Sequence, residues 1–428
     1  MAQYASSEEG KAGIARRVRD AMNSGSWIRR MFEEGIQLKQ QYGEDNVFDL
    51  TLGNPVVEPP RVFKEELARW ANVPEAGLHR YMPNAGYPQT RAAVAQALSE
   101  ETGLTVRSEH VLMTTGAAGG LNVVLKALLD PGDEVIVWAP YFVEYLFYID
   151  NHGGVAVVAE TDDGFLPTPS ALEEKLSPRT KAVIVNSPNN PTGVLYSGEL
   201  LAQMSGVLSK KEAEFGTEIY VISDEPYRKL IYDGLTYPPV FHYYPRSIVV
   251  NSHSKDIAIP GERIGYVAVS PQMQNAPELM QALVFCNRTL GFVNAPALMQ
   301  HVVASLQKAT VDVGDYQRKR DRLHQAMTDM GYSVVRPQGA FYMFPQSPVP
   351  DEMQFVAQLR EYNILAVPGT GFGRSGYVRI SYCVEDKTID GALAGFREVA
   401  IHHGLRPQGA AGAPHHDRHA HKTLNGLP

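Results

Sequence analysis

A chain of 428 residues with 44% hydrophobic and 20% charged residues has the composition of a globular protein long enough for two or three domains. Its formal net charge of -8 argues against nucleic acid or anionic lipid as partners held by bulk charge. Two cysteines, Cys286 and Cys383, are too few for a disulfide framework or a four-cysteine zinc site, and they suit a reducing, cytoplasmic compartment.

The first thirty residues are polar and lack the apolar core of a signal peptide. No later run reaches the roughly 18 apolar residues of a membrane span. Residues 1–52 read as an N-terminal segment that packs with a small domain or reaches to a partner subunit. Residues 53–305 read as a large domain in which short β-rich runs alternate with helical patterns. The candidate strands are His110–Thr114, Glu134–Trp138, Val155–Ala159, Ala182–Asn186, Ile219–Ser223, Ser247–Asn251 and Gly265–Val269. Several are continuous apolar runs, the habit of strands buried on both faces of a parallel sheet. The clearest helix begins near Gly119, with Leu121, Val124, Leu125 and Leu128 on one face and Asp130-Pro131-Gly132 ending it. The expected fold class is α/β, a mainly parallel seven-stranded sheet with helices on both faces.

Residues 306–405 read as a smaller α+β domain. Its expected elements are a charged helix around Tyr316–Met330, strands near Tyr332–Val335 and Ala340–Phe344, a helix near Glu352–Tyr362, and strands near Ile364–Val367 and Tyr377–Tyr382. Residues 406–428 are rich in Pro, Gly and His and read as a disordered tail. Its histidines at 415, 416, 419 and 421 could bind metal adventitiously, and no metal site is expected.

In an open α/β sheet, ligands bind beyond the carboxyl ends of the strands. Five strand ends carry useful chemistry here. The first leads through Thr115-Gly116-Ala117-Ala118-Gly119-Gly120 into a helix whose free N–H groups suit a phosphate, although glycine before a helix is also ordinary turn chemistry. The second delivers Tyr141 and Phe142, which could stack on a flat ring or pack in the core. The third leads to Asn189-Asn190 in a rigid proline-flanked turn, and the fourth to Asp224 and Tyr227. A carboxylate there needs a cationic partner, which a protonated ring nitrogen or an ordinary ion pair could provide. The fifth delivers Ser252, Ser254 and Lys255, with Arg263 eight residues on. Desolvation would favour the nucleophilic amine, and a surface lysine is the plain alternative.

In combination and order, SPNNPTG, SDEPY and SHSK followed by GERIGY resemble the class I and II aminotransferases, fold-type I pyridoxal-phosphate enzymes of the aspartate aminotransferase kind. The resemblance runs from about Phe48 to Phe396. It implies pyridoxal 5'-phosphate as cofactor, held through a Schiff base to Lys255. Asp224 would pair with the ring nitrogen, Asn190 and Tyr227 with the phenolic oxygen, and Phe142 would stack where many relatives carry Trp. Ala117 and Ala118 (backbone), Ser252, Ser254 and Arg263 would hold the phosphate. Relatives often carry Ser or Thr in place of the two alanines, so one hydroxyl contact is absent. Tyr81 would reach the phosphate of a partner subunit, which implies a homodimer with shared active sites. Arg379 would clamp the substrate α-carboxylate and Gly53 would close over it. Arg288 lies near the position where aspartate-specific relatives place a side-chain-carboxylate arginine, so aspartate or glutamate is a candidate donor.

The implied reaction moves an amino group from an L-amino acid to a 2-oxo acid. The alternative on the same fold is a pyridoxal-phosphate β-lyase cleaving a C–S bond. A regulatory DNA-binding protein on this scaffold is disfavoured because no basic recognition helix is evident. A nucleotide-binding protein is disfavoured because no phosphate-loop motif follows any strand.

Overall fold

The computed structural model describes residues 13–23, 27–74 and 76–406. The expected tail, with its four histidines, lies outside the described residues except for Arg406. The seven apolar runs form one sheet. Its strands are β1 (Val111–Thr114), β2 (Glu134–Ala139), β3 (Val155–Glu160), β4 (Thr180–Asn186), β5 (Tyr220–Asp224), β6 (Ser247–Ser252) and β7 (Gly265–Val269). They lie in the order β1-β7-β6-β5-β4-β2-β3. Strands β2 to β6 pair in parallel, and β7 runs antiparallel to both β1 and β6. The chain turns back from β6 to β7 through only a short helical turn, His253–Asp256, and the loop bearing Arg263. That connection is too short for a helical crossover, which parallel pairing would need.

The continuous apolar runs have a direct cause. In β4, Val183 and Val185 join one core cluster while Ala182 and Ile184 join another on the opposite face. Helices cover both faces, so both sides of each central strand are dry. At the edge of the sheet, β3 is largely exposed or half-buried, and Val155 faces water.

The smaller unit has its own core, built on helices Val313–Asp329, Glu352–Glu361 and Asp386–His402. Short strands Val367–Pro368, Val378–Ser381 and Tyr342–Met343 form an antiparallel sheet in that order. The single run expected at Ile364–Val367 divides in two. Ile364–Leu365 instead takes Phe48–Asp49 as a parallel partner, which ties the N-terminal segment to this unit. No strand forms at Tyr332–Val335. Tyr332 is anchored there by its side chain, whose hydroxyl donates to Phe396 O at 2.8 Å.

Candidate active site

The carboxyl ends of the strands open onto a cavity of about 300 Å³. Lys255, Asp224, Tyr227, Asn190, Phe142 and Arg263 line it. So do Ala117, Ala118, Ser252, Ser254, Gly53 and Arg379. The parallel strands explain the gathering. β4 and β5 are in register, with Asn186 opposite Asp224, so the turn carrying Asn190 and the segment carrying Tyr227 leave the sheet side by side.

Asp224 ends β5 and is buried. The Tyr145 hydroxyl donates to its Oδ2 at 2.5 Å, whereas its Oδ1 is buried without a partner. Burial pushes this carboxyl up to about 7, with the Tyr145 hydrogen bond pulling the other way. Lys255 donates from Nζ to Gly53 O at 2.6 Å and has no carboxylate partner among the described residues. Burial lowers its amine to about 8, with the Cys383 thiol opposing and the Arg263 and Arg379 charges adding to the effect. A lysine close to neutrality and an aspartate with a free oxygen therefore face one cavity.

Arg379 projects from the strand Val378–Ser381 and is buried. It donates from Nη1 to Asn190 Oδ1 at 3.1 Å and from Nη2 to Thr51 O, and its Nε has no partner. Its guanidinium lies 4.6 Å from the Tyr342 ring centroid and 4.7 Å from that of Phe372. A planar cation with no carboxylate beside it among the described residues, buried in a cavity, is built to receive one.

The far end of the cavity is small and polar. The helix Gly116–Leu128 starts there with Gly116 at φ 75, and a Cβ on Gly116 would come within 3.0 Å of Arg263 Nη2. Glycine therefore serves both the turn and the approach of the arginine. Ser252 Oγ donates to Ser254 Oγ at 2.7 Å. Arg263 adopts the left-handed conformation and donates from Nη1 to Pro260 O at 2.9 Å. Phe142 stands edge-on to Tyr145, with ring centroids 5.5 Å apart.

Tyr81 and Arg288 do not line the cavity of their own chain. Tyr81 is 89% exposed, and Arg288 lies on the surface over the Phe285 ring. Their segments are joined, because Asn294 Nδ2, six residues after Arg288, donates to Pro83 O at 3.2 Å.

Residues 45–396 match the family model for aminotransferase class I and II. The chain belongs to this family. Aspartate/prephenate aminotransferase from Thermus thermophilus is 34% identical over 402 residues, covering 90% of this chain and 98% of the relative. An amino transferase from Eubacterium rectale superposes with a TM-score of 0.88 at 37% identity, covering 91% of this chain and 99% of the other. Aspartate aminotransferase from Thermus thermophilus, solved with maleate, gives a TM-score of 0.80 at 32% identity, covering 91% and 100%. The protein is accordingly a pyridoxal-phosphate-dependent aminotransferase of fold type I acting on small amino and 2-oxo acids, and the lyase alternative is not favoured.

Tyr145 and Tyr342 line the aminotransferase's cavity and are pointed to neither by a strand end nor by the family resemblance. Tyr145 follows Phe142 by three residues, about one helical turn, and its spacing was a usable signal. Tyr342, in GAFYMF, sits in the small unit, and no feature of its local sequence points to the cavity.

Proposed function

We propose that this aminotransferase takes L-aspartate or L-glutamate as amino donor and works in the cytoplasm as a homodimer of large (53–305) and small (306–405) domains. The observation that carries the reading is the shared cavity of Lys255 and Asp224, with an amine lowered to about 8 and an unpartnered Asp224 Oδ1. The cofactor fits these residues. Asp224 Oδ1 is a buried acceptor suited to a protonated ring nitrogen, and Lys255 Nζ is the nucleophile for its aldehyde. Asn190 spends its Oδ1 on Arg379, which leaves its Nδ2 to join the Tyr227 hydroxyl at the phenolic oxygen. Phe142, on the cavity wall, would cover the ring. The N–H groups of Ala117 and Ala118, the hydroxyls of Ser252 and Ser254, and Arg263 would hold the phosphate, with Tyr81 added from a second copy.

When bound, pyridoxal phosphate supplies a ring that withdraws electrons from the donor's Cα. The protein's share is orientation and proton handling. Arg379 grips the α-carboxylate with its planar fork, satisfying its unpaired Nε, while Gly53 closes from the other side. Lys255 Nζ takes the Cα proton, and burial keeps its affinity for that proton near working pH. Asp224, through its unpartnered Oδ1, would pair with the ring nitrogen and favour its protonated form. The exposed Arg288 is offered to the neighbouring copy's site for the second carboxylate, and the shared surface with Tyr81 and the names of the relatives support this. Both cysteines are free and buried, in keeping with a reducing cytoplasm.

The test is a half-reaction. Holoenzyme given L-aspartate alone should lose its aldehyde absorbance and yield oxaloacetate without free ammonia. Aldehyde absorbance that L-aspartate leaves unchanged, together with catalytic release of ammonia and pyruvate from L-cysteine, whose thiol can leave, would overturn transamination as the primary chemistry. Arg288→Ala should raise KM for aspartate far more than for an apolar donor, and equal losses would remove Arg288 from the reading.

A further inference from the structure

Tyr342 touches both halves of the site. Its strand pairs antiparallel with Val378–Ser381, with Tyr342 opposite Ser381. Arg379 lies two residues from Ser381 and on the same face, so Tyr342 and Arg379 are diagonal neighbours. The Tyr342 ring accordingly faces the guanidinium at 4.6 Å. At its other end the hydroxyl lies 3.1 Å from Tyr227 Oη. The Gly53 backbone closes on the same hydroxyl, for a Cβ on Gly53 would overlap Tyr342 Oη. The Gly53 carbonyl in turn accepts from Lys255 Nζ. Tyr342 is 3% exposed, so neither ring nor hydroxyl is free to drift.

We propose that Tyr342 is a positioning residue that couples the grip on the donor's α-carboxylate to the hydrogen bonding of Tyr227 at the cofactor's phenolic oxygen. This rests on the reading given above for Arg379 and Tyr227. The ring holds the guanidinium plane, which has hydrogen bonds at Nη1 and Nη2 but none at Nε. The Tyr342 hydroxyl, 3.1 Å away, can donate to Tyr227 Oη and so leave the single Tyr227 proton for the phenolic oxygen.

Two substitutions separate the ring from the hydroxyl, each measured on cofactor-loaded enzyme. Tyr342→Leu removes the ring and should raise KM for a carboxylate-bearing donor about tenfold. Its effect on a simple primary amine, which carries no carboxylate, should be small. Tyr342→Phe keeps the ring, so KM should stay near wild type, but the midpoint of the holoenzyme's absorbance titration with pH should shift. A folded, cofactor-loaded Leu variant with wild-type donor KM, or with an equal loss for the amine, overturns the proposal. A Phe variant that titrates at the wild-type midpoint overturns it too, and this arm decides if the Leu variant does not fold. Arg379→Leu is the control. Normal donor KM there would overturn the carboxylate reading and the coupling with it, whereas a large loss beside an unaffected Tyr342→Leu defeats the coupling alone.

Discussion

Two buried aspartates from neighbouring parts of the fold behave in opposite ways. Asp224 faces the cavity and Asp256, next to Lys255 in the chain, does not line it. Asp256 Oδ2 meets His253 Nδ1 at 3.1 Å and accepts from Lys229 Nζ at 3.2 Å, while its Oδ1 accepts from the Ile257 N–H at 2.9 Å. Burial alone would raise its pKa, but His253 and Lys229 pull it down to about 2. Asp224 has one tyrosine hydroxyl and a bare oxygen, and burial wins, lifting it to about 7. The two have comparable burial and differ in partners. A charge closed by its own chain serves stability, and a charge left open awaits a ligand.

The same contrast separates two lysines, and it yields the largest predicted effect. Lys229 is occupied by Asp256 and by the carbonyls of Gln307 and Ala309. Lys255→Ala should lower transamination by at least about 10³-fold, measured as single-turnover conversion of cofactor with donor. Lys229→Ala should lower thermal stability and leave the turnover of folded enzyme intact. Loss of turnover in both variants without unfolding would break the contrast.

Next come the aspartates themselves, measured by denaturant unfolding of cofactor-free protein. Asp256→Asn should destabilise by roughly 3–5 kcal/mol near neutrality, because it breaks a buried ion-pair network. Asp224→Asn should stabilise by about 2–4 kcal/mol at pH 8, because the wild-type carboxyl must ionise in a dry site. The same substitution should weaken cofactor retention. The pH windows follow from the signs. Asp224, raised from 3.8 to about 7, contributes stability that is complete below its unfolded value and lost as pH rises through 7. Asp256, lowered from 3.8 to about 2, contributes stability that is present above its unfolded value and lost as pH falls through 2. The advantage of Asp224→Asn should therefore vanish near pH 4, and an advantage independent of pH would contradict the assignment.

The smallest effect sharpens the picture of the cavity's aromatic wall. Phe142→Trp should tighten cofactor binding by a few-fold, since stacking of a larger ring is worth about 0.5–1.5 kcal/mol. Weaker binding would place Phe142 against the protein rather than the ring.

The cavity residues at the strand ends were the legible part of the molecule. Lys255, Asp224, Asn190 and Arg263 follow strands or motifs that the sequence announces through continuous apolar runs and turn residues, and a parallel sheet delivers its strand ends to one edge. What stayed hidden depends on register between distant segments. Tyr342 reaches Arg379 only through a diagonal pair across two short antiparallel strands, and nothing local to GAFYMF encodes that pairing. The strand expected at Tyr332–Val335 failed for a related reason. Tyr332 is buried, and its hydroxyl is satisfied on the helix Asp386–His402 through Phe396 O. Tyr81 and Arg288 face outward from the single chain on joined segments, where no strand end of their own sheet could reveal a role.

Among the described lysines, the amine at 255 faces the cavity and stands open for an aldehyde. Reduction of the cofactor-loaded protein with borohydride, followed by peptide mapping, tests it most directly. The predicted result is a single pyridoxyl-modified peptide containing Lys255, with the label absent in Lys255→Ala. Label on Lys229 or another lysine, with Lys255 unmodified, would contradict it.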